Sequence, residues 1–176
     1  VDPYARHLDG TFQWNPALYD YKAPRKGGKW RINRKDSAPY MPLSVVSSSS
    51  LPVPVRRPVV PWSNAVIYEA NVRGYTMRHP DIPQSERGRF RGMSNGKILE
   101  YLKALGITSL ELMPVNTMID ENFLAEKGLR NFWGYNSVQF FAPEARFADS
   151  NPSAEFREMV EAIHDAGIEV LLDVAY

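Results

Sequence analysis

The pattern of apolar and polar positions divides the chain into two parts of different character. From residue 63 onward, apolar runs alternate with helically spaced apolar residues, and glycine or proline marks the changes. Residues 1–62 instead carry frequent turn-forming residues, several prolines and a serine run at 47–50, all of which disfavour regular elements. We therefore predict an irregular linker over 1–62 and a folded α/β unit over 63–176.

Three apolar runs rich in strand-forming residues predict three strands. They cover residues 65–73, 107–113 and 167–176. Between them lie two segments with apolar residues at helical spacing, and each ends at a glycine, Gly106 or Gly167. The second helix is predicted to begin after Asn151 as its N-cap, because Pro152 suits the first helical position.

The order of these elements predicts a parallel sheet, because strands that alternate with helices require right-handed crossovers. The turns from helix to strand are short, whereas the connections from strand to helix are long, as over residues 115–150. Long loops at the carboxyl ends of the strands favour a barrel-type site. A dinucleotide-binding, phosphate-loop or flavodoxin-like fold would need a glycine-rich phosphate loop, and neither helix is preceded by one.

Two features in the folded part carry candidate chemistry. Asp173 ends the last apolar run, and a carboxylate there costs desolvation energy unless a ligand, a metal or a hydrogen-bond network uses it. The aromatic residues Phe132, Trp133 and Tyr135 surround a glycine in the long connection. From the residues alone, these aromatics could equally pack on one another, and Asp173 could accept hydrogen bonds from backbone donors.

Composition and charge exclude several classes of function. The 21 basic and 20 acidic side chains give a formal charge of +1, so we expect neither nucleic acid nor a membrane surface as partner. No apolar run approaches the roughly 20 residues of a membrane span. The absence of cysteine excludes disulfides, thiolate zinc sites and thiol nucleophiles, and it fits a cytoplasmic location.

Neither a metal nor a cofactor is expected. The acidic residues Asp120, Glu121 and Glu126 are spaced loosely, whereas calcium needs about 6 to 8 converging oxygens. The three histidines are scattered, and no pair has the spacing of metal ligands. The chain begins at Val1 with neither an initiator methionine nor a signal pattern, so we expect it to be a piece of a longer protein.

Four segments, in order along the chain, resemble the start of the barrel in bacterial glycogen debranching enzymes, which are isoamylase-type members of the alpha-amylase family (glycoside hydrolase family 13). They are residues 66–76, 110–115, 131–136 and 140–147. Two further segments, 2–5 and 36–42, resemble the part that joins an N-terminal carbohydrate-binding sandwich to that barrel. The resemblance weakens over 25–35 and 43–61.

The resemblance implies a fold and a domain organisation. Residues 63–176 would form the first three strands and two helices of a TIM (β/α)8 barrel, truncated after the third strand. Residues 1–62 would be the irregular linker that follows a carbohydrate-binding β-sandwich. Three strands of an eight-stranded barrel leave open sheet edges, so we expect the isolated chain to be marginally stable.

The resemblance also implies an activity: retaining hydrolysis of alpha-1,6-glucosidic branch linkages in glycogen or limit dextrins. The partner would be an alpha-glucan such as glycogen, a limit dextrin or a maltooligosaccharide. Tyr135 would be a platform for stacking a sugar, with Trp133 a weaker candidate for substrate binding. Asp173 would bind sugar hydroxyls or organise the site.

The same resemblance assigns no catalytic residue to this chain. The nucleophile and the acid/base come from the fourth and fifth strands in the family, beyond Tyr176, so we expect the chain alone to be inactive. One alternative is a non-catalytic glucan-binding piece or the inert product of a truncated gene. Another, within the enzymes, is a different alpha-glucan hydrolase or a transferase.

Overall fold

A computed structural model describes residues 1–22, 24, 27–46 and 57–176. Its strands are β1 (Leu8–Asp9), β2 (Tyr21–Lys22), β3 (Arg31–Ile32), β4 (Leu43–Ser44), β5 (Ile67–Ala70), β6 (Ser109–Leu112), β7 (Asn116–Met118), β8 (Ser137–Pro143) and β9 (Glu169–Leu172). Its α-helices are α1 (Val72–Thr76), α2 (Phe90–Met93), α3 (Gly96–Ala104), α4 (Asn122–Ala125) and α5 (Pro152–Asp165). Single 3-10 turns occupy Pro16–Leu18, Ala38–Tyr40, Trp62–Asn64 and Ala145–Phe147.

A three-stranded parallel sheet in the order β5-β6-β9 forms the centre of the fold, as the alternation of strands and helices predicted. Its register sets Glu69 beside Glu111, and Glu111 beside Leu171. The helix before β6 ends where predicted, since Gly106 has a φ of +78°. Asn151 caps α5 by accepting a hydrogen bond from the Ala154 amide at 3.1 Å.

One face of the sheet packs against helices and forms the core. Successive side chains of a strand point to opposite faces, so the alternate residues Leu110 and Leu112 both enter this core and are fully buried. The helix residues that are equally buried in the same cluster are Ile98, Leu102, Met159 and Ile163. Burial of one such side chain stabilises a fold by about 1.5–3 kcal/mol, so this layer positions the strands.

The opposite face of the sheet, which we call the open face, is lined by Ile67, Glu69, Ser109, Glu111, Glu169 and Leu171. Ile67 and Leu171 are 45% and 37% exposed. At the amino end of the strands, Glu169 accepts hydrogen bonds from the Val60 amide at 3.0 Å and the Ser109 hydroxyl at 2.9 Å. These two donors, the amide first, lower the pKa of Glu169, and the bond to Val60 connects the chain before β5 with β9.

The predicted strands are too long in three places. The first was expected over 65–73, but it ends at Ala70 because Asn71 caps α1 and accepts a hydrogen bond from the Gly74 amide at 2.8 Å. The second and third shorten to β6 and β9. The third strand is apolar but not fully buried, since Leu171 and Leu172 are 37% and 45% exposed and, within the described residues, β9 has a neighbouring strand on one side alone.

The connection over 115–150 is more ordered than the predicted loop. It contains the antiparallel pair of β7 and β8, with α4 in between. In β8 the polar Gln139 is fully buried, whereas Phe140 and Phe141 are 37% and 56% exposed. The buried side-chain amide of Gln139 donates to the Asp2 carbonyl. A buried polar residue paired with a distant part of the chain leaves no local signal.

The N-terminal segment is largely irregular, as predicted, with the two-residue pairings β1–β4 and β2–β3. It lies against the β7–β8 pair, where the Trp14 indole donates to the Asp120 carbonyl at 2.6 Å. The Ser153 hydroxyl donates to the Arg6 carbonyl at 3.2 Å. The serine run at 47–50 lies outside the described residues, and the domain boundary at residue 62 stays a prediction.

Among the described residues, no helix is both long enough and apolar enough to cross a membrane.

Replacing Gly92 by Ala should destabilise the packing between α1 and α2. A Cβ there would lie 2.5 Å from the Glu86 carbonyl oxygen and 2.8 Å from the Thr76 hydroxyl. Overpacking of this kind costs about 1–3 kcal/mol. Hydrogen exchange of the α2 amides should show this loss in the free energy of opening.

The matched control is Gly96→Ala, where nothing lies within 4 Å of the added Cβ. Equal effects of the two variants would contradict the packing argument.

Candidate functional site

The carboxyl end of the central sheet brings together two of the three residues predicted to bind substrate. The Tyr135 hydroxyl donates a hydrogen bond to Oδ2 of Asp173, although the two residues are 38 positions apart. Tyr135 is 44% exposed, so its ring remains accessible to a ligand. The structure therefore joins residues 131–136, called the aromatic loop here, and the end of β9 in one candidate site.

Asp173 is positioned by the sheet. Its backbone amide donates to the Leu112 carbonyl at 2.9 Å, which extends the β6–β9 ladder by one residue. Asp173 lies two residues after Leu171 and therefore has the alternation of the open face. The desolvation cost inferred from the sequence is modest, because Asp173 is only partly buried.

Tyr135 is positioned by its loop. The Asn131 side chain accepts a hydrogen bond from the Gly134 amide at 2.9 Å. Gly134 has a φ of +91°, and a Cβ at this position would lie 2.9 Å from the Pro114 carbonyl oxygen. A residue with a side chain would fit neither the backbone conformation nor the space. The glycine therefore lets the chain pass close to the end of β6, and this path places Tyr135 within hydrogen-bonding distance of Asp173.

Asn71 holds the same loop from the other side. Its Nδ2 donates to the Phe132 carbonyl at 2.9 Å, while its Oδ1 caps α1. Asn71 is 9% exposed, so both bonds are shielded from water. One side chain thus connects the end of β5 with the aromatic loop.

Two carboxylates that the sequence analysis did not single out lie near Tyr135. Glu69 and Glu111 are register partners on β5 and β6, and both contribute electrostatically at the Tyr135 hydroxyl. The hydrogen bond to Asp173 is the main cause that raises the pKa of Tyr135 to about 12, followed by desolvation and by the three carboxylates. The available sequence signal was a single acidic residue in each of the two strands.

Trp133 does not join this pair by a hydrogen bond in the described structure. It is 61% exposed and packs edge-on against Phe132, with ring centroids 5.8 Å apart and planes at 88°. Phe132 and Trp133 therefore pack on one another, which was one of the alternatives left open by the sequence. Tyr135 forms no aromatic pair within the described residues.

The acidic residues of the long connection serve the fold. Asp120 accepts hydrogen bonds from the Asn131 amide at 2.7 Å and from Arg146 at 2.8 Å. Glu121 accepts one from the Asn131 side chain at 3.1 Å. Over the part of the chain that the structure describes, no three His, Cys, Asp or Glu side chains converge in a way that could hold a metal ion.

Comparison with known proteins gives a consistent picture. No family model matches the chain. A glycogen debranching enzyme of Yersinia enterocolitica is 42% identical over 181 residues, which cover all of this chain and 26% of that enzyme. The pullulanase of Anoxybacillus sp. LM18-11 has a similar fold, with a TM-score of 0.62 at 24% identity over 99% of this chain and 23% of that one. The type I pullulanase of Bacillus subtilis str. 168, crystallised with maltose, gives 0.59 at 27% identity over 77% of this chain and 21% of that one.

The resemblance to bacterial glycogen debranching enzymes of the alpha-amylase family is therefore confirmed over the whole chain. The relatives are glycoside hydrolases, and the described fold agrees with an amylase-type fold. The chain spans about a quarter of the length of the curated relative. The complete barrel, the domain boundary and the roles of Tyr135, Asp173 and Trp133 stay predictions.

Asp173→Asn should lower the pKa of Tyr135 from about 12 toward its ordinary value of 10. A carboxylate that accepts a hydrogen bond from the hydroxyl favours the neutral phenol, whereas a neutral amide removes the charge that opposes the phenolate. Because the pKa of Tyr135 is higher in the folded state, the hydrogen bond stabilises the fold fully at pH values below the ordinary pKa of 10. This stabilisation is lost as pH rises through about 12. Titration of 13C-labelled tyrosine by NMR, assigned with Tyr135→Phe, measures the shift.

The internal control for this titration is Tyr75, whose pKa is also raised to about 12, by burial first and then by Tyr68 and Tyr101. Asp173→Asn should leave the Tyr75 titration unchanged. A Tyr135 pKa that stays near 12 in the variant would contradict the assignment of the shift to Asp173.

Proposed function

We propose that this chain is part of a glycosidase that hydrolyses alpha-1,6-glucosidic branch linkages in glycogen or its limit dextrins, and that it supplies one wall of the sugar site. The observation that carries the proposal is the Tyr135–Asp173 pair at the carboxyl end of the parallel sheet. The similarity to a glycogen debranching enzyme over the full chain supports the substrate class. A 27% identical pullulanase crystallised with maltose supports an alpha-glucan ligand.

For the architecture, we propose that residues 63–176 form the first three strands of a (β/α)8 barrel and that 1–62 link them to a preceding carbohydrate-binding sandwich. Within the described residues the outer edges of β5 and β9 are unpaired, which supports this proposal, because closure into a barrel is one way to satisfy such edges. The exposed apolar residues of the open face, Ile67 and Leu171, would then be covered by the rest of the barrel.

In the proposed site, the Tyr135 ring stacks on the apolar face of a glucose unit. The hydrogen bond to Asp173 fixes the orientation of the ring, so less conformational freedom is lost on binding. In the described structure no donor reaches the second carboxylate oxygen of Asp173, which leaves it able to accept a sugar hydroxyl. Glu69 and Glu111 add negative charge, which suits the oxocarbenium-like transition state of glycoside hydrolysis.

The hydrolysis itself requires groups outside these residues. A retaining mechanism uses a nucleophilic carboxylate and a general acid about 5–5.5 Å apart across the scissile bond. The family resemblance assigns both to strands that would follow Tyr176, so we propose that the 176 residues alone are inactive. A non-catalytic glucan-binding role remains the second candidate, because the Tyr135–Asp173 pair is complete within this chain.

The test is a debranching assay on phosphorylase-limited glycogen with the protein expressed from the complete gene. We expect release of short oligosaccharides and a loss of at least about tenfold in kcat/KM for Tyr135→Ala, because the stacking platform is removed. Tyr135→Phe keeps the ring and should lose only about threefold, from the hydrogen bond. Tyr101→Ala, a change at a 52% exposed tyrosine on α3, is the matched control and should have no effect.

Absence of oligosaccharide release would reject the debranching activity. The non-catalytic glucan-binding role is tested by titrating the 176-residue chain with maltooligosaccharides while following tryptophan fluorescence. Binding that depends on Tyr135, without debranching by the complete gene product, would favour the non-catalytic role. A flat titration together with normal activity of Tyr135→Ala would exclude Tyr135 from the sugar site.

A further inference from the structure

We propose that the Asn95–Gly96 peptide unit is a site of spontaneous deamidation and that the Glu86 side chain controls its rate in the folded protein. Asparagine followed by glycine is the most reactive pair for this reaction, because glycine carries no side chain that would hinder attack by its backbone nitrogen. The sequence contains this pair once. Gly96 is exposed and Asn95 is only partly buried, so solvent reaches both residues.

The reaction needs only the chain and water. The Gly96 nitrogen loses its proton to solvent and attacks Cγ of Asn95, which forms a five-membered imide, while the side-chain nitrogen takes up a proton and leaves as ammonia. Water then adds to one of the two imide carbonyls and breaks its bond to nitrogen. Opening at one carbonyl leaves aspartate at position 95, and opening at the other leaves isoaspartate, whose main chain runs through the former side chain.

Two hydrogen bonds hold the reactive amide of Asn95 in the folded protein. Its Oδ1 accepts from the Lys97 amide at 3.1 Å and so caps the amino end of α3, and its Nδ2 donates to Oε2 of Glu86 at 2.8 Å. Cγ, the atom that is attacked, is therefore fixed through both of its polar substituents. The bond to Glu86 has a charged acceptor, and such bonds are roughly twice as strong as those between neutral groups.

The backbone holds the attacking nitrogen away from Cγ. Closure of the imide ring requires the Gly96 nitrogen to lie nearly eclipsed with Cβ of Asn95, but the ψ of Asn95 is 137°, which points this nitrogen to another side of the Cα–C bond. Turning ψ would displace Gly96 from the start of α3 and break the bond of 2.9 Å from the Ile98 amide to the Asn95 carbonyl. Deamidation therefore requires local opening of the turn before α3, and the bond to Glu86 opposes that opening.

Deamidation would damage the same turn. Aspartate caps a helix about as well as asparagine, so the cap itself would survive the change to aspartate. The new carboxylate would, however, face the carboxylate of Glu86 at the place of the present hydrogen bond, and like charges at this distance repel. α3 supplies Ile98 and Leu102 to the core, where both are fully buried. The repulsion would therefore act on a helix that positions the central strands.

The test measures deamidation by mass spectrometry in the protein expressed from the complete gene, incubated at neutral pH with and without urea. Cleavage after Arg91 and Lys97 releases residues 92–97, whose mass rises when the amide becomes a carboxyl group. We expect the folded protein to react at least about tenfold more slowly than the unfolded one, because the reaction awaits local opening. Glu86→Ala should raise the folded rate about tenfold, through loss of a hydrogen bond to a charged group.

Two further variants serve as controls. Glu86→Gln keeps an acceptor oxygen for Nδ2 of Asn95 and should raise the folded rate less than Glu86→Ala does. Glu100→Ala removes a carboxylate of α3 whose side chain is 76% exposed and is not a partner of Asn95 in the described structure, so it should leave the rate unchanged. In urea, all of these variants should react at the rate of the parent protein, because no folded contact then protects Asn95.

A second measurement uses the product of the reaction. Asn95→Asp should lower the melting temperature at neutral pH, because two carboxylates then face each other before α3. Adding Glu86→Gln should restore the melting temperature, since the repulsion is removed while the aspartate still caps the helix. This pair of variants decides the role of Glu86 where Glu86→Ala does not fold.

The proposal is overturned if the folded parent protein deamidates at position 95 as fast as it does in urea, or if Glu86→Ala leaves the folded rate unchanged. A lower rate in Glu86→Ala would also overturn it, since the carboxylate would then assist the attack instead of opposing it. An Asn95→Asp variant as stable as the parent would count against the contact with Glu86 in the same way. None of these measurements depends on debranching activity, so the proposed function can fail without affecting this result.

Discussion

The in-phase register of three parallel strands is the constraint on which the rest of the structure depends. Glu69, Glu111 and Leu171 lie side by side, so every second residue of each strand points to the same side of the sheet. Packing of α3 and α5 on Leu110 and Leu112 decides which side is the core. The carboxylates are thereby forced onto the open face, because burying one unpaired in the core would cost several kcal/mol.

Asparagine side chains then fix the loops at the end of this sheet. Asn71 and Asn131 each bond backbone groups of the aromatic loop, and Gly134 allows the close approach to Pro114. An amide side chain can donate and accept at once, so each residue joins two segments without burying a charge. Tyr135 reaches Asp173 because these two asparagine side chains hold the loop on which Tyr135 lies.

A second polar network joins the N-terminal segment to the part of the chain that contains the central sheet. Asp120 bonds both Asn131 and Arg146, so it connects the aromatic loop with the 3-10 turn that follows β8. The irregular N-terminal segment thus has a defined place although its strands are only two residues long. Its order comes from single bonds to Asp120, to β8 and to α5 rather than from local propensity.

The alternation of strands and helices, the helix ends at glycine, the Asn151 cap and the family resemblance could all be predicted from the sequence, because they depend on local spacing and on motifs. It also indicated Tyr135 and Asp173 separately. Contacts made in the folded chain bring these two residues together, let the charges of Glu69 and Glu111 act on Tyr135, and pack Trp133 on Phe132. It also showed that β5 ends at Asn71 and that residues 115–150 contain a strand pair. Contacts between residues tens of positions apart depend on register and packing, which no local pattern encodes.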